Sequence, residues 1–465
     1  MSVIRFNNKG WRARFDDGFD ENNLSRIADA FGYMWADAYP GSTIYVGYDT
    51  RYNGRGLAGV VAGVLASHGL HVVVSDMACP TPALGWNVMH DPAATGGVML
   101  TASSASCEYG GISVRAADGG PVSDEFYEAA ARIVSSAPVS DRAPYVYRDF
   151  ITPYVEHLKG IVDVEAIEDA HINVVVDSLY GSSRGILAQL LRSCGCRVHE
   201  IHNEENPDFG GLHPIPTEPW VDTLEQAVVT YGSDVGLALD CDGDRLGVID
   251  ARGNYITPHK TIPIVMDHLV RNRGESGRVV VTYSSSAYVR RQANRLECEF
   301  TTVPVGFARI HDEFVEGDVL LGADEYGGIC VPTHLPERDG LLSALLIVEC
   351  MAIRGCGMEE LVSELVKNLG TMHYIRRNIR LDVASIQSFR NILPGLYLKE
   401  VCGMSPVEVG HSDGLVMRFE DDSWVQLRPS RTEALIRACA EAPDVQVAHK
   451  LAEEACRGAL KQLPR

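Results

Sequence analysis

The apolar positions of the chain repeat one arrangement three times. A short β-branched run comes first, then a stretch with helical spacing, then a second short apolar run. The paired runs are 44–47 with 71–74, 172–176 with 195–198, and 279–282 with 297–300. Short apolar strands that alternate with helical segments are typical of βαβ units in a parallel or mixed sheet. The pattern therefore predicts three similar α/β units.

Each predicted unit ends in two strands joined by a polar, glycine-containing loop. The three loops are 101–111, 240–245 and 322–328. Repeated α/β units place equivalent loops around one cleft, where the ligands of such sheets usually bind. We therefore expect the three loops to share one cleft while each brings a different chemistry to it.

The pattern changes after residue 370. Strand-like runs at 380–383, 414–419 and 424–427, followed by an amphipathic stretch at 444–460, predict an antiparallel sheet closed by a helix. The predicted fold class is α/β, with three similar mixed-sheet domains and a smaller C-terminal α+β domain. The predicted domain bounds are 1–140, 141–253, 254–369 and 370–465.

The composition indicates a globular protein with a buried core and an acidic charge. Of the 465 residues 46% are hydrophobic and 22% charged, and the formal net charge is −21. Nucleic acids and anionic membranes favour basic surfaces, so neither is an expected partner. The N-terminus lacks the apolar run of a signal peptide, and no apolar stretch is long and clean enough to cross a bilayer. The 12 cysteines have no CxxC spacing, which predicts reduced thiols in the cytoplasm without structural zinc.

The strongest local chemistry is the segment DCDGDR at 240–245. Asp240, Asp242 and Asp244 alternate, so a curled loop brings three carboxylates to one point, and a hard cation such as Mg²⁺ resolves their repulsion. Arg245 adds a bidentate donor for a phosphate beside the metal. The alternative interpretation is an Asp-rich turn that only caps a helix or faces water.

Two further segments could handle phosphate. TASSAS at 101–106 places hydroxyls at the end of an apolar strand, where a serine beside a metal and an arginine can carry a phosphoryl group. RPSRTE at 428–433, followed by Arg437, combines arginines and hydroxyls and could open a helix whose N-terminus holds a phosphate. An ordinary serine-rich loop and a solvated capping box, with Thr432 as N-cap, are the alternatives.

Taken together, these segments resemble the α-D-phosphohexomutases, the superfamily of phosphoglucomutase, phosphomannomutase and phosphoglucosamine mutase. Eight stretches match in order along nearly the whole chain: FNNKGWRA at 6–13, VGYDTR at 46–51, TASSASCEYGGISV at 101–114, NPDFGGLHPIP at 206–216, DCDGDR at 240–245, VGFARI at 305–310, GADEYGG at 322–328 and RPSRTEA at 428–434.

The resemblance implies a heart-shaped, four-domain enzyme with a central cleft. A phosphoserine at Ser103 exchanges its phosphoryl group with a phosphosugar through a sugar 1,6-bisphosphate, and Asp240, Asp242 and Asp244 hold Mg²⁺ against it. Glucose or mannose phosphate is the implied substrate, and a monomer or homodimer the expected assembly. The remaining implied site residues are the catalytic residues Arg12, Arg51 and Arg245, the sugar-reading residues Asp324, Glu325 and Tyr326, and the phosphate-holding residues Arg428, Ser430, Thr432 and Arg437.

The sequence departs from the family pattern where the chemistry takes place. A histidine and an Asn-Pro pair of the family are replaced at 104–106, one lysine is Ser113 and another is Ala308, and Tyr326 replaces a serine. Arg115, Arg309, His259 and His334 are candidates to compensate, although an arginine is a poor base. Two hypotheses therefore stand: a working phosphohexomutase with altered sugar recognition, and a catalytically impaired relative that binds Mg²⁺ and a phosphosugar in a regulatory role.

Overall fold

Four β-sheets follow one another along the chain in a computed structural model that describes residues 4–7, 9–430 and 434–463. The first sheet has the order β1-β5-β4-β2-β3-β6. Its strands are β1 (Trp11–Arg14), β2 (Thr43–Tyr48), β3 (His71–Ser75), β4 (Ala94–Leu100), β5 (Tyr109–Ala116) and β6 (Val146–Arg148), and its helices are α1 (Glu21–Ala38), α2 (Gly54–Ser67), α3 (Thr81–Met89) and α4 (Asp124–Ile133).

The second and third sheets have the orders β11-β10-β9-β7-β8 and β13-β12-β14-β15. The second domain contains α5 (Ile151–Ile161), α6 (Val164–Ala170), β7 (Asn173–Asp177), α7 (Ile186–Ser193), β8 (Arg197–Ile201), α8 (Asp222–Tyr231), β9 (Val235–Leu239), β10 (Leu246–Asp250) and β11 (Tyr255–Ile256). The third contains α9 (Pro258–Arg271), β12 (Arg278–Thr282), α10 (Ala287–Arg295), β13 (Phe300–Val303), α11 (Phe307–Glu316), β14 (Val319–Ala323), β15 (Ile329–Cys330), α12 (Gly340–Arg354) and α13 (Met358–Leu369).

One strand arrangement recurs in these three sheets, as the repeated pattern predicts. The shared orders are β5-β4-β2-β3, β10-β9-β7-β8 and β15-β14-β12-β13. The central strands β2, β7 and β12 each pair in parallel with two neighbours. The two strands that come last along the chain in each set form an antiparallel hairpin: β4 with β5, β9 with β10, and β14 with β15. The central strands are buried β-branched runs, which suit a sheet covered on both faces. The predicted run 297–300 is three residues early, because β13 begins at Phe300.

The fourth sheet is antiparallel, with the order β16-β20-β19-β18-β17. Its elements are β16 (His373–Arg380), α14 (Val383–Ile392), β17 (Glu408–Gly410), β18 (Leu415–Arg418), β19 (Trp424–Pro429), β20 (Leu435–Ala442) and α15 (Val445–Leu460). The predicted closing helix is present, and Asp444 caps it by accepting hydrogen bonds from two backbone N–H groups. The predicted strand at 380–383 is wrong, because Asp382 instead caps α14 by accepting from the N–H of Ser385.

The last strand of the first sheet and the last strand of the second sheet each lie beyond the predicted domain boundary. β6 pairs with β3, so the first sheet extends past residue 140 to Arg148. β11 pairs with β10, so the second sheet extends past residue 253 to Ile256. Both strands are only two or three residues long, and such short segments carry too little periodicity to be recognised in the sequence.

The second and third domains share one apolar core. Residues from β7, β9, α9, β12 and α12 lie in a single buried cluster, whereas the first and fourth domains have clusters of their own. This continuous core fixes the position of the metal loop (residues 240–245), which joins β9 to β10, relative to the third domain. In the described part of the chain no single helix is long and apolar enough to cross a membrane; the pair α12 and α13 reaches the length and composition together but bends by 84°.

Candidate active site

The three hairpin loops of the repeated domains meet at one cleft, as their equivalent positions predict. The loops connect β4 to β5, β9 to β10 and β14 to β15. The cleft encloses about 770 Å³, and its walls include Ser103, Asp242, Asp244 and Glu325 together with Lys9 from the N-terminal segment. A hydroxyl, a carboxylate cluster and cationic side chains are therefore brought together from three domains.

Ser103 is held in a conformation that presents its hydroxyl to the metal loop. Its backbone has φ of +49°, and its N–H donates to Thr101 Oγ1 at 2.8 Å. A left-handed backbone at a non-glycine residue is uncommon and is often found at functional sites. Ser103 Oγ lies 3.3 Å from Asp240 Oδ2 and 3.1 Å from Arg245 Nη1. The hydroxyl thus has an acceptor and a cationic donor beside it, both supplied by the second domain.

Arg51 holds the serine loop (residues 101–111) through hydrogen bonds to its backbone. Its Nη1 donates to the carbonyls of Ser106 and Tyr109, and its Nη2 donates to the carbonyls of Ser103 and Ala105, at 2.6–2.9 Å. Its Nε pairs with Asp49 Oδ2 at 3.1 Å. All five N–H donors of the guanidinium are therefore used within the protein. The geometry differs from the expected catalytic role, and it makes Arg51 a positioning residue for Ser103.

Arg51→Met is expected to weaken the first domain and to loosen the serine loop. Four carbonyls would lose their donor and Asp49 would stay buried without a cation, a loss on the order of 3–5 kcal/mol of stability. The measurement is the midpoint of thermal unfolding, with the exposed neighbour Arg55→Met as the matched control. An Arg51→Met midpoint equal to that of the control would contradict the positioning role.

The three aspartates of the metal loop form the acidic centre of the cleft. Asp240, Asp242 and Asp244 each offer a carboxylate oxygen within 4.8 Å of the others, and all three are buried. Among the described residues, nothing hydrogen-bonds to the buried oxygens Asp242 Oδ1 and Asp244 Oδ1. Unpartnered buried carboxylate oxygens are costly unless a cation neutralises them. The donor set of three hard oxygens therefore fits Mg²⁺.

The three carboxyl groups of the metal loop differ in pKa. Burial, Asp244 and Asp242 raise the pKa of Asp240 well above its usual range, and burial together with Asp244 raises that of Asp242. Burial opposes ionisation of Asp244 too, but Arg338 and Arg245 outweigh it and lower its pKa to about 2. Asp244 is thus the carboxylate that the arginines keep ionised.

Arg338 is an unpredicted partner of this centre. It contacts Asp244 Oδ2 at 2.5 Å and Asp324 Oδ2 at 3.0 Å, and so joins the metal loop to the sugar loop, residues 322–328. The sequence feature that could have pointed to Arg338 is its position directly before Asp339, which caps α12 by accepting hydrogen bonds from two backbone N–H groups. That cap fixes the backbone that carries Arg338 into the cleft.

Two of the predicted sugar-reading residues, Asp324 and Glu325, are hydrogen-bonded within the third domain. Asp324 Oδ1 accepts from the N–H groups of Tyr326 and Gly328, at 2.9 and 3.1 Å. Glu325 Oε2 accepts from Thr282 Oγ1 at 2.8 Å. Burial and the neighbouring Asp324 raise the pKa of Glu325. Both carboxyls line the cleft, and Asp324 in addition organises the turn that presents Glu325.

Tyr326 stands between two guanidinium groups. Arg245 lies 5.8 Å and Arg376 4.9 Å from the centre of its ring. The serine that the family places here would leave both cations without this aromatic face. Arg376 belongs to β16 of the fourth domain, and nothing in its local sequence singled it out.

The described residues of the predicted phosphate segment end strand β19 and do not open a helix. Arg428 lies in β19 and Arg437 in β20, directly opposite each other in the antiparallel register. Ser430, which follows β19, is buried, and its carbonyl accepts from Arg390 Nη2 at 2.6 Å. Thr432 lies outside the described residues. The expected helix N-terminus is wrong, because strand β20 begins at Leu435.

Of the residues expected to replace the missing lysines and histidine, only Arg115 reaches the cleft. It pairs with Glu337 at 3.1 Å and lies 3.5 Å from Ser113 Oγ. Arg309 pairs with Asp124 and Asp312 away from the cleft walls. His259 packs against Tyr374 in the interior, and His334 is hydrogen-bonded to His157 and Asp339. Neither histidine is a cleft residue.

Two cations of the N-terminal segment line the same cleft. Burial lowers the pKa of Arg12 to about 10, and its Nε has no hydrogen-bond partner in the described part of the chain. A buried, unpartnered guanidinium N–H is suited to an anionic ligand. Lys9 is the one lysine among the described cleft residues. It lies in the segment FNNKGWRA that resembles the family, but the resemblance assigns it no role.

Comparison with known proteins identifies the family. Three models of phosphoglucomutase/phosphomannomutase match in order: alpha/beta/alpha domain I at 3–138, domain II at 152–253 and domain III at 257–369. A phosphoglucomutase/phosphomannomutase of Thermococcus kodakarensis is 31% identical over 429 residues, covering 89% of this chain and 91% of the relative. The chain belongs to the phosphoglucomutase/phosphomannomutase family.

Other members of the family match over a similar length. A phosphoglucosamine/phosphogalactosamine mutase of Sulfurisphaera tokodaii is 29% identical, with 89% of this chain and 90% of the relative covered. A solved structure from Thermus thermophilus, described as a phosphomannomutase, has a TM-score of 0.88 and 31% identity and covers 98% of this chain and 99% of its own. These relatives are phosphomutases, so the predicted superfamily and the enzyme class of intramolecular phosphotransferases are confirmed.

Proposed function

We propose that the protein is an active phosphohexomutase that interconverts hexose 1-phosphate and hexose 6-phosphate through a phosphoryl group on Ser103. The observation that carries this proposal is the position of Ser103 Oγ, 3.3 Å from Asp240 Oδ2 and 3.1 Å from Arg245 Nη1. Arg245 can stabilise the negative charge that develops on the serine oxygen when its bond to phosphorus breaks. Catalysis of phosphoryl transfer rests mainly on positioning and on electrostatic stabilisation of this kind.

The reaction proceeds in two half-reactions that mirror each other. In the first, the free sugar hydroxyl loses its proton and forms a bond to phosphorus, while the bond between phosphorus and Ser103 Oγ breaks. The product is a sugar 1,6-bisphosphate, which also serves as activator. After the bisphosphate turns over in the cleft, its other phosphoryl group passes to Ser103 and the second sugar phosphate leaves.

The three aspartates are proposed to hold Mg²⁺, which when bound supplies positive charge to the phosphoryl oxygens. Arg12, whose Nε has no hydrogen-bond partner among the residues that the structure describes, is proposed to bind the phosphate that is transferred. Arg428 and Arg437, opposite each other on the fourth sheet, and Ser430, which follows β19, are proposed to hold the phosphate that does not react, with Thr432 as a further ligand. Two phosphate sites on different domains suit a substrate that must bind in both orientations.

Glucose or mannose phosphate is proposed as the substrate, with glucosamine phosphate as the next candidate because several relatives are phosphoglucosamine mutases. Glu325 has one oxygen engaged by Thr282 and is placed to accept from sugar hydroxyls with the other. Tyr326, where the family has serine, makes the wall of the sugar site bulkier and aromatic.

The second candidate is a catalytically impaired protein that binds a phosphosugar for regulation. Ser113 and Ala308 in place of lysines favour it, as does Arg338, whose contact with Asp244 already supplies a positive charge to the metal loop.

One experiment separates the two functions. The purified protein is incubated with Mg²⁺, a catalytic amount of glucose 1,6-bisphosphate and the 1-phosphate of glucose, mannose or glucosamine, and the 6-phosphate is measured. We expect turnover of at least one sugar phosphate. Binding of the sugar phosphates without turnover of any of them would contradict the mutase and favour the regulatory protein.

A further inference from the structure

Resting on the proposed function, we infer that Lys9 is the general acid and base of the reaction, in place of the lysine that Ser113 has replaced. The amine reaches the cleft from the N-terminal segment and not from the strand where the family carries it. The inference joins three observations: the position of Lys9 beside β5, the composition of the cleft wall, and the charges around the amine.

The backbone places residue 9 next to the strand that lost its lysine. Asn7 and Gly10 exchange two backbone hydrogen bonds at 2.9 and 3.0 Å, and the N–H of Lys9 donates to Asn7 Oδ1 at 2.8 Å. Gly10 has φ of +92°, and a Cβ there would lie 2.0 Å from the carbonyl oxygen of Ile112 and 3.0 Å from Ser113 Cα. The N-terminal segment thus packs directly on the backbone of Ser113, which only glycine permits.

The cleft wall offers few other groups that can carry a proton. No histidine is among the described residues that line it. Tyr127 accepts from the N–H of Val114, and burial raises its pKa to about 12. Glu337 is paired with Arg115 and Arg338. Arginines stay protonated and make poor bases. Asp242 and Asp244 belong to the metal loop, and Asp324 is held by Arg338 and by two backbone N–H groups. Burial raises the pKa of Tyr326. The amine of Lys9 and the carboxyl of Glu325 remain, and only the amine can replace the lost lysine in kind.

The charges around Lys9 favour its neutral form. The side chain of Lys9 is exposed to the solvent of the cleft. The crowding of protein around the amine is the largest cause that lowers its pKa, Arg245, Arg12 and Arg338 lower it too, and Asp324 opposes them, which leaves the pKa at about 7. A group with a pKa near the working pH is the most effective general base and acid. Phosphate binding would add negative charge and move the pKa upward again, towards the acid form.

The proton balance closes over the two half-reactions. In the first, the amine of Lys9 takes the proton of the sugar hydroxyl as that oxygen bonds to phosphorus, and Ser103 Oγ receives the electron pair of the broken bond. In the second, the ammonium returns the proton to the departing sugar oxygen as Ser103 Oγ bonds to the other phosphorus. Lys9 and Ser103 therefore end the cycle as they began it.

Three variants test this role: Lys9→Ala, Lys9→Arg, and Lys159→Ala on α5 as the control. We expect kcat to fall by about 10²–10⁴ in Lys9→Ala, with a smaller change in KM. Lys9→Arg keeps the charge but not the titration, so it is expected to remain as slow as Lys9→Ala. Restoration of kcat by arginine would overturn the inference, because it would mean that Lys9 only binds phosphate.

The titration of Lys9 can be followed directly. The chain has seven lysines, so a protein labelled with ¹³C at the lysine ε-carbon gives few signals. We expect one signal to titrate near neutral pH and to be missing in Lys9→Arg; a Lys9 signal that titrates near 10.4, the usual value for lysine, would contradict the inference.

Thermal midpoints and the phosphate content of Ser103 verify that the variants are folded and loaded. An active wild-type protein with an equally active Lys9→Ala would remove this inference alone. A wild-type protein without turnover would remove the proposed function and the role of Lys9 with it.

Discussion

Ser103→Ala is expected to abolish turnover, with a loss in kcat on the order of 10⁴–10⁶. The phosphoryl group has to leave and return through one oxygen, and the geometry of the cleft gives that place to Ser103 Oγ. Arg245 Nη1 and Asp240 Oδ2 converge on this oxygen at 3.1 and 3.3 Å. The loss should appear in kcat and kcat/KM alike, because the missing atom takes part only in the reaction and not in holding the sugar.

Ser104→Ala and Ser106→Ala are the matched controls, since they remove hydroxyls from the same loop. Ser104 Oγ lies 3.4 Å from the same Arg245 Nη1, so Ser104→Ala also measures what one hydrogen bond to that arginine contributes. The intact mass of the purified protein should include one phosphate in both controls and none in Ser103→Ala. A phosphate that persists in Ser103→Ala and disappears in Ser104→Ala or Ser106→Ala would assign the carrier to a different serine.

The repeated part of the fold is predictable from the sequence because its signal is local. Buried runs such as 279–281 have the β-branched composition of central strands, and glycine-containing polar loops separate the hairpin strands. Three copies of one pattern reinforce one another. The fourth domain is less regular, and there the short-range signal misplaced one strand and turned a β-hairpin into a helix start.

The chemistry of the cleft divides in the same way. Asp240, Asp242 and Asp244 are neighbours in sequence, so their meeting at one point could be predicted from spacing. Arg338 and Lys9 approach from other domains or the N-terminal segment, and their contribution depends on packing between elements far apart in the chain. Arg51 shows the converse: its motif marked it as important, but only its five hydrogen-bond partners reveal that it holds a loop.

The second large effect is expected at the metal loop. Asp242→Asn removes one of three buried carboxylates while its side-chain oxygen can still accept from Thr81 Oγ1, which lies 2.9 Å from Asp242 Oδ2 in the wild-type protein. A hard cation depends on ligand charge, so we expect the affinity for Mg²⁺ to fall by more than about 100-fold, beyond the usual effect of losing an outer-shell partner. Turnover should fall with it.

The sign of the stability change makes this prediction specific. Without Mg²⁺, Asp242→Asn should raise the thermal midpoint, because like charges that repel one another in a buried site are fewer. With Mg²⁺ at 100 times its wild-type Kd, the wild-type protein should gain about 2.7 kcal/mol and the variant less than about 0.4 kcal/mol. Asp222→Asn, at the exposed start of α8, is the matched control and should gain as much as the wild-type protein. If Asp242→Asn gained the full Mg²⁺ stabilisation, the three aspartates would not be the metal site, and Arg338 would be the resident counter-charge of the loop.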